Sequence, residues 1–248
     1  MKKLFLLFVL GLMSCESDSE PFTPSSDTQS GSYANMLTIG DNLYVVSSTE
    51  ITTLDLTEPS KPVEIDRQVL GTGIESLFYF GGQLFIGSRE DLFIYDITGN
   101  GIPQEVSRTN YNTFLGTCGG DPVVVTEEIA YVTLSTLQTN GCNTISVNEL
   151  RLYDVRNLEQ PILINQINMS QPKGLGLDDN WLFVCDDGLK VLDVTDPLDV
   201  TLIHHFNDIT TFDVIVQDGL LLVVGPDDLY QFDYSIMSEM KMLSRIEL

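Results

Sequence analysis

The feature that most constrains this chain is a strand motif that returns five times, an apolar run closing on aspartate. Its copies end Ile51-Thr52-Thr53-Leu54-Asp55, Leu92-Phe93-Ile94-Tyr95-Asp96, Leu150-Arg151-Leu152-Tyr153-Asp154, Leu189-Lys190-Val191-Leu192-Asp193 and Leu229-Tyr230-Gln231-Phe232-Asp233. The aspartates stand 41, 58, 39 and 40 residues apart, so one unit carries an insertion of about 18 residues and the others keep register. A fixed period of this size means one supersecondary unit per repeat, unable to bury its apolar faces alone and stacked on its neighbours.

Each unit holds four strand-like runs, A to D. In the fourth they are Gly174 to Leu177, Trp181 to Cys185, Leu189 to Val194 and Val200 to Phe206, separated by Asp178-Asp179-Asn180, Asp186-Asp187-Gly188 and Thr195-Asp196-Pro197. Such Asp, Asn, Gly and Pro clusters are turn chemistry. The B runs (Leu43 to Val46, Leu84 to Ile86, Leu220 to Val224) are apolar at consecutive positions, which predicts sheets buried on both faces. Four-stranded units packed radially describe a β-propeller; a β-sandwich would give no reason for the period. The fold expected is all-β, a five-bladed β-propeller of four-stranded antiparallel blades over residues 33–248. Lys241 to Ile246 supplies the fifth D strand, so no strand need be borrowed from the other end of the chain.

Before the repeats, Met1-Lys2-Lys3 and the apolar run Leu4 to Met13 read as a signal peptide over residues 1–14, because the run is shorter than the roughly 20 residues that span a bilayer. Leu12-Met13-Ser14-Cys15 resembles the lipobox of bacterial lipoproteins, which implies a lipid on Cys15. Glu16 to Glu20 is similar to the acidic signal that sends some lipoproteins to the outer-membrane surface. Residues 15–32 are therefore expected to be a lipidated cysteine and a flexible tether, with little to bury.

The repeat itself resembles the LVIVD repeat of bacterial surface propellers. The best copies are Asn180 to Val184 followed by Asp187 to Pro197, and Asp55 to Pro62; units two, three and five match only in their strands. The resemblance implies a propeller on a cell surface, without a general catalytic activity, and carries over no site residues. WD40, near in period, would show Gly-His and Trp-Asp signatures that are lacking here.

Charge and geometry direct attention to one face. Twelve Lys and Arg against 36 Asp and Glu leave a net charge of −24, the opposite of a nucleic-acid footprint. In a propeller the D-to-A and B-to-C connections emerge together, on the face that usually carries ligands. There the sequence places Glu50, Glu90, Asp91, Asp186, Asp187, Asp227 and Asp228 in B-to-C turns, with Glu75, Asp121, Asp208 and Asp213 near the starts of A strands. Such an acidic mouth could take Ca²⁺ or a glycan, although the loop spacing of a dedicated calcium site is missing. Glu75, Asp121 and Asp213 are the innermost carboxylates, the candidates for paired acid and base work in a glycoside hydrolase. The reading preferred to that one assigns no catalytic residue, metal or cofactor.

The remaining candidates read as structural. The aspartates closing each C strand are expected to fix the turns that follow. His204 and His205 point to opposite faces of a strand, and Cys185 is a small buried hydrophobe. Cys118 and Cys142, in connections flanking one blade on one face, are expected to pair as a disulfide in an oxidising envelope. Together these features predict a non-enzymatic binding or interaction module, anchored to the outer membrane by its lipid, whose partner is an envelope protein or a glycan. No nucleic acid is expected among its partners.

Overall fold

The computed structural model describes residues 31–111, 122–136 and 147–248. The leader, Cys15, most of the tether, Asp121, Cys118 and Cys142 lie outside them. Among the described residues twenty strands form five antiparallel sheets, each from four consecutive strands in sequence order. Blade 1 is β1 (Met36–Ile39), β2 (Asn42–Val46), β3 (Glu50–Asp55) and β4 (Val63–Val69). Blade 2 is β5 (Ile74–Phe80), β6 (Gln83–Ser88), β7 (Asp91–Asp96) and β8 (Gln104–Asn110). Blade 3 is β9 (Val123–Val125), β10 (Ile129–Ser135), β11 (Asn148–Asp154) and β12 (Ile162–Asn168). Blade 4 is β13 (Leu175–Asp178), β14 (Trp181–Cys185), β15 (Leu189–Asp193) and β16 (Thr201–Phe206). Blade 5 is β17 (Asp213–Gln217), β18 (Leu220–Val224), β19 (Asp228–Asp233) and β20 (Lys241–Glu247). Among the described residues no blade borrows a strand from the other end of the chain.

Local chemistry sets the register. Between β17 and β18, Asp218 and Gly219 both hold positive φ (41° and 81°), the two-residue hairpin that an Asp-Gly pair favours. Every pairing of a C strand with its D strand slips by one residue at the same place, just before the closing aspartate: at Thr53/Leu54, Ile94/Tyr95, Leu152/Tyr153, Val191/Leu192 and Gln231/Phe232. A bulge repeated in this way increases the twist of each outer strand. The closing aspartates act as expected. Asp55, Asp193 and Asp233 each accept the N–H and hydroxyl of the residue two positions on, Asp96 accepts the N–H of Thr98, and Asp154 accepts the N–H and guanidinium of Arg156. These bonds hold all five carboxyls below the usual carboxylate range.

The core is divided among the blade interfaces. One buried apolar cluster joins blades 1 and 2 (Tyr44, Ile51, Leu84, Phe93), a second blades 2 and 3 (Phe85, Ile94, Val132, Tyr153), a third blades 3 and 4 (Tyr131, Leu152, Leu182, Val184) and a fourth blades 4 and 5 (Phe183, Val191, Leu221, Phe232). Among the described residues no such cluster joins blade 5 to blade 1. The expectation that every B strand is buried on both faces therefore needs correction. It holds for β6, β10 and β14, where nearly every residue is buried. In β2 and β18 burial alternates: Tyr44, Val46, Leu221 and Val223 are buried, while Leu43, Val45, Leu222 and Val224 on the other face are only half-buried. The reason is position in the ring, since these strands belong to the terminal blades and lack a neighbour that packs tightly on their second face.

Candidate binding face

The acidic face exists in sequence position, but most of its carboxylates are held by the fold. Each blade carries one acid at or beside the start of its C strand and one cation that grips it. The pairs are Glu50 with Arg67 (2.6 Å), Asp91 with Arg108 (2.5 Å), Glu149 with Arg151 (2.8 Å), Asp186 with Lys190 (2.6 Å) and Asp228 with Arg245 (2.7 Å). In blades 1, 2 and 5 the cation comes from the D strand. In blades 3 and 4 that D-strand position is Gln166 or His205, and the residue paired with it across the C strand, Arg151 or Lys190, supplies the charge instead. Arg108 and Arg245 also lie over the rings of Phe93 and Tyr230, 4.9 and 5.6 Å from their centroids. This clamp is invisible in any single repeat. Only superposing the five, with the C–D bulge allowed for, brings Arg67, Arg108, Gln166, His205 and Arg245 to one position.

The other predicted positions divide by burial. Glu75 pairs with Arg89 at 3.0 Å. Asp186 is buried and also accepts the N–H groups of Ser170 and Gln171. Glu90, Asp187 and Asp227 are exposed turn residues. Among the described residues no group of three His, Cys, Asp or Glu is placed to hold a metal ion.

Asp213 is the exception in kind. Its carboxylate accepts the Ser32 hydroxyl (2.9 Å), the Tyr33 N–H (3.4 Å) and its own neighbour's N–H at Val214 (2.9 Å), while burial pushes its pKa up against those bonds. Ser32, assigned to the tether by the sequence, is 3% exposed and its oxygen also accepts the Leu175 N–H of blade 4 (2.8 Å). Tyr33 stacks on Phe212 at 4.9 Å, and the Ala34 carbonyl accepts the Leu77 N–H of blade 2. The segment thus crosses from the inner strands of blades 4 and 5 to blade 2, and the innermost carboxylate serves to hold it. A side chain at Gly174 would meet Asp213 at 2.1 Å, so glycine is required there for the approach.

Beside this crossing, between blades 4 and 5, lies a cleft of about 470 Å³ lined by Ser170, Gln171, Lys173, Cys185, Asn207 and Thr211 among others. Cys185 forms its floor, 1% exposed, its thiol pushed up to about 12 by burial. His205 Nε2 donates to the Asp187 carbonyl and His204 Nε2 to the Met237 carbonyl (both 2.7 Å), on opposite faces of β16 as expected.

Fold and face together define a β-propeller. No protein-family profile matches the chain, and no curated protein matches it by sequence. Solved structures do. A protein from Lactobacillus plantarum is similar with TM-score 0.64 and 12% identity, covering 83% of this chain and 67% of that one. The periplasmic gluconolactonase PpgL of Pseudomonas aeruginosa is similar with TM-score 0.64 and 13% identity over 84% and 68%. BamB of Moraxella catarrhalis is similar with TM-score 0.57 and 13% identity over 86% and 63%. The chain spans about two thirds of the length of these structures, and at such identities the likeness concerns the fold.

Proposed function

We propose that this chain is an LVIVD-type propeller, tethered to the cell envelope through a lipid on Cys15, that works as a non-enzymatic binding module. The observation that carries this reading is the commitment of Glu75 and Asp213, the innermost carboxylates among the described residues, and of four more acids at the turns. Glu50, Glu75, Asp91, Asp186 and Asp228 are bound to cations, and Asp213 is held by the chain's own backbone and Ser32. An acid and base pair for hydrolysis needs carboxyl groups open to substrate. What the face offers outward is a rigid rim of turns and a polar cleft, which suits recognition. The lipid rests on the lipobox resemblance.

The test is a glycan array and an envelope cross-linking experiment on the full chain, run beside a panel of glycoside substrates. Saturable binding of one glycan or envelope protein without turnover is the expected result. Turnover that disappears in Asp213→Asn or Glu75→Gln would overturn the reading. For the anchor, labelling with a fatty-acid analogue should mark the wild type and leave Cys15→Ser unmarked.

A further inference from the structure

The described residues contain ten Lys and Arg side chains, in a protein rich enough in carboxylates to pair them all. Eight do pair within ion-pair distance. Lys241, in the outermost strand, and Lys173 do not. Lys173 lines the cleft between blades 4 and 5, and its ammonium reaches only the Thr211 carbonyl, at 3.5 Å. Of the carboxylates at the cleft, Asp186 is already bound to Lys190 and to two backbone N–H groups, and Asp187, an exposed turn residue on the lining, stands 3.9 Å from His205 Nε2.

The lysine is also held in place. Its N–H donates to the Cys185 carbonyl and its own carbonyl accepts the Thr133 hydroxyl, both at 2.8 Å. The opposite wall is equally fixed: Gly188 holds φ 98°, where a side chain would strike the Phe206 carbonyl at 2.1 Å, and the Thr211 hydroxyl donates to the Gly188 carbonyl at 2.6 Å. Around this rigid frame, the side chains of Ser170, Gln171, Asn207 and Thr210 make no hydrogen bond among the described residues. One ammonium without an ion pair, together with the exposed amides and hydroxyls of Gln171, Asn207, Ser170 and Thr210, offers a set of donors on a backbone held at both walls.

We infer that this cleft binds a small polyhydroxylated anion, a sugar carrying a carboxylate or a phosphate, with Lys173 on the charged group and Gln171 and Asn207 on the hydroxyls. Charge chemistry selects the ligand. A neutral sugar leaves the ammonium unpaired in a half-buried site, whereas an anionic one brings the partner that the protein withholds. The inference rests on the binding-module reading and names the ligand class for it.

Titration calorimetry on the full chain with galacturonate, glucose 6-phosphate and glucose tests the assignment. Expected is saturable binding of at least one anion and at least tenfold weaker binding of glucose. Lys173→Met, which keeps the aliphatic stem, should cost at least tenfold in affinity at an unchanged melting midpoint, and Gln171→Ala, at an exposed position, should weaken the same ligand. Response to galacturonate alone assigns the carboxylate and response to glucose 6-phosphate alone the phosphate. Binding that survives Lys173→Met, or equal binding of glucose, overturns the proposal. So does the absence of any response. If an envelope partner is nevertheless retained equally by wild type and Lys173→Met, the binding-module reading stands and only the cleft assignment falls.

Discussion

Asp186 and Glu58 each meet a lysine, yet the two pairs differ in what their loss would do. The Asp186 side chain is wholly buried and Lys190 is 17% exposed, whereas Glu58 and Lys61 are 61% and 74% exposed. Removing Asp186 strands the Lys190 ammonium and two N–H groups, so Asp186→Ala should cost about 3 kcal/mol, as for other broken buried pairs. Glu58→Ala should leave urea unfolding unchanged, since water screens both partners. The turn aspartates add a dependence on pH. Asp55, Asp96, Asp154, Asp193 and Asp233 have depressed pKa values, so their contribution is present above the unfolded pKa, about 3.9, and is lost as pH falls through the folded values. Asp213 has the opposite sign. Its raised pKa gives a contribution present at low pH and lost as pH rises through the folded value. Where the five turn aspartates set the balance, calorimetry should show the melting midpoint falling below about pH 4. A midpoint that rises on acidification would mean that desolvation of Asp213 dominates instead.

At the scale of elements, the strands were legible because turn chemistry brackets them. The A strand placed at residues 174–177 overlaps β13, and the C strands coincide with the repeat that revealed them. The clamp was not legible, since its cation moves between C and D strands and the bulge displaces the simple register. Nor was the start of the fold. Serine in a run of Ser, Thr and Asp carries no apolar signal, and what buries Ser32 is a carboxylate 181 residues away. Because that hydroxyl both donates to Asp213 and accepts from Leu175, Ser32→Ala should cost about 1–2 kcal/mol. Melting should fall by a few degrees in a domain of this size. An unchanged midpoint would show that the crossing segment adds nothing to stability.

Over the whole molecule, the ring is defined by what its ends lack. Five blades in a ring make five interfaces, and among the described residues four of them contain a buried apolar cluster. At the fifth, the crossing of Ser32 and Tyr33 to Asp213 and Phe212 supplies polar and aromatic contacts instead. The sequence hid this, because Leu43-Tyr44-Val45-Val46 and Leu220-Leu221-Leu222-Val223-Val224 are as apolar as the strands of the inner blades; composition reports a strand's chemistry and not the tightness of its neighbour. Adjacent leucines of β18 read the two sides separately. Leu221 points into the cluster shared with blade 4 and is fully buried, while Leu222, on the opposite face of the strand, is half-buried. Leu221→Ala removes well-packed methyl groups and leaves a cavity, and should cost about 3 kcal/mol or more. Leu222→Ala gives up partly exposed surface without opening a closed cavity, and should cost about 1 kcal/mol. The same contrast is expected in blade 1 between Ile51, fully buried, and Leu43. Chemical denaturation of the four variants measures it, with equal slopes showing that the unfolded state is unaltered. Equal costs for Leu221 and Leu222 would show that blades 5 and 1 pack as tightly as any other pair, and the ring would then be uniformly closed.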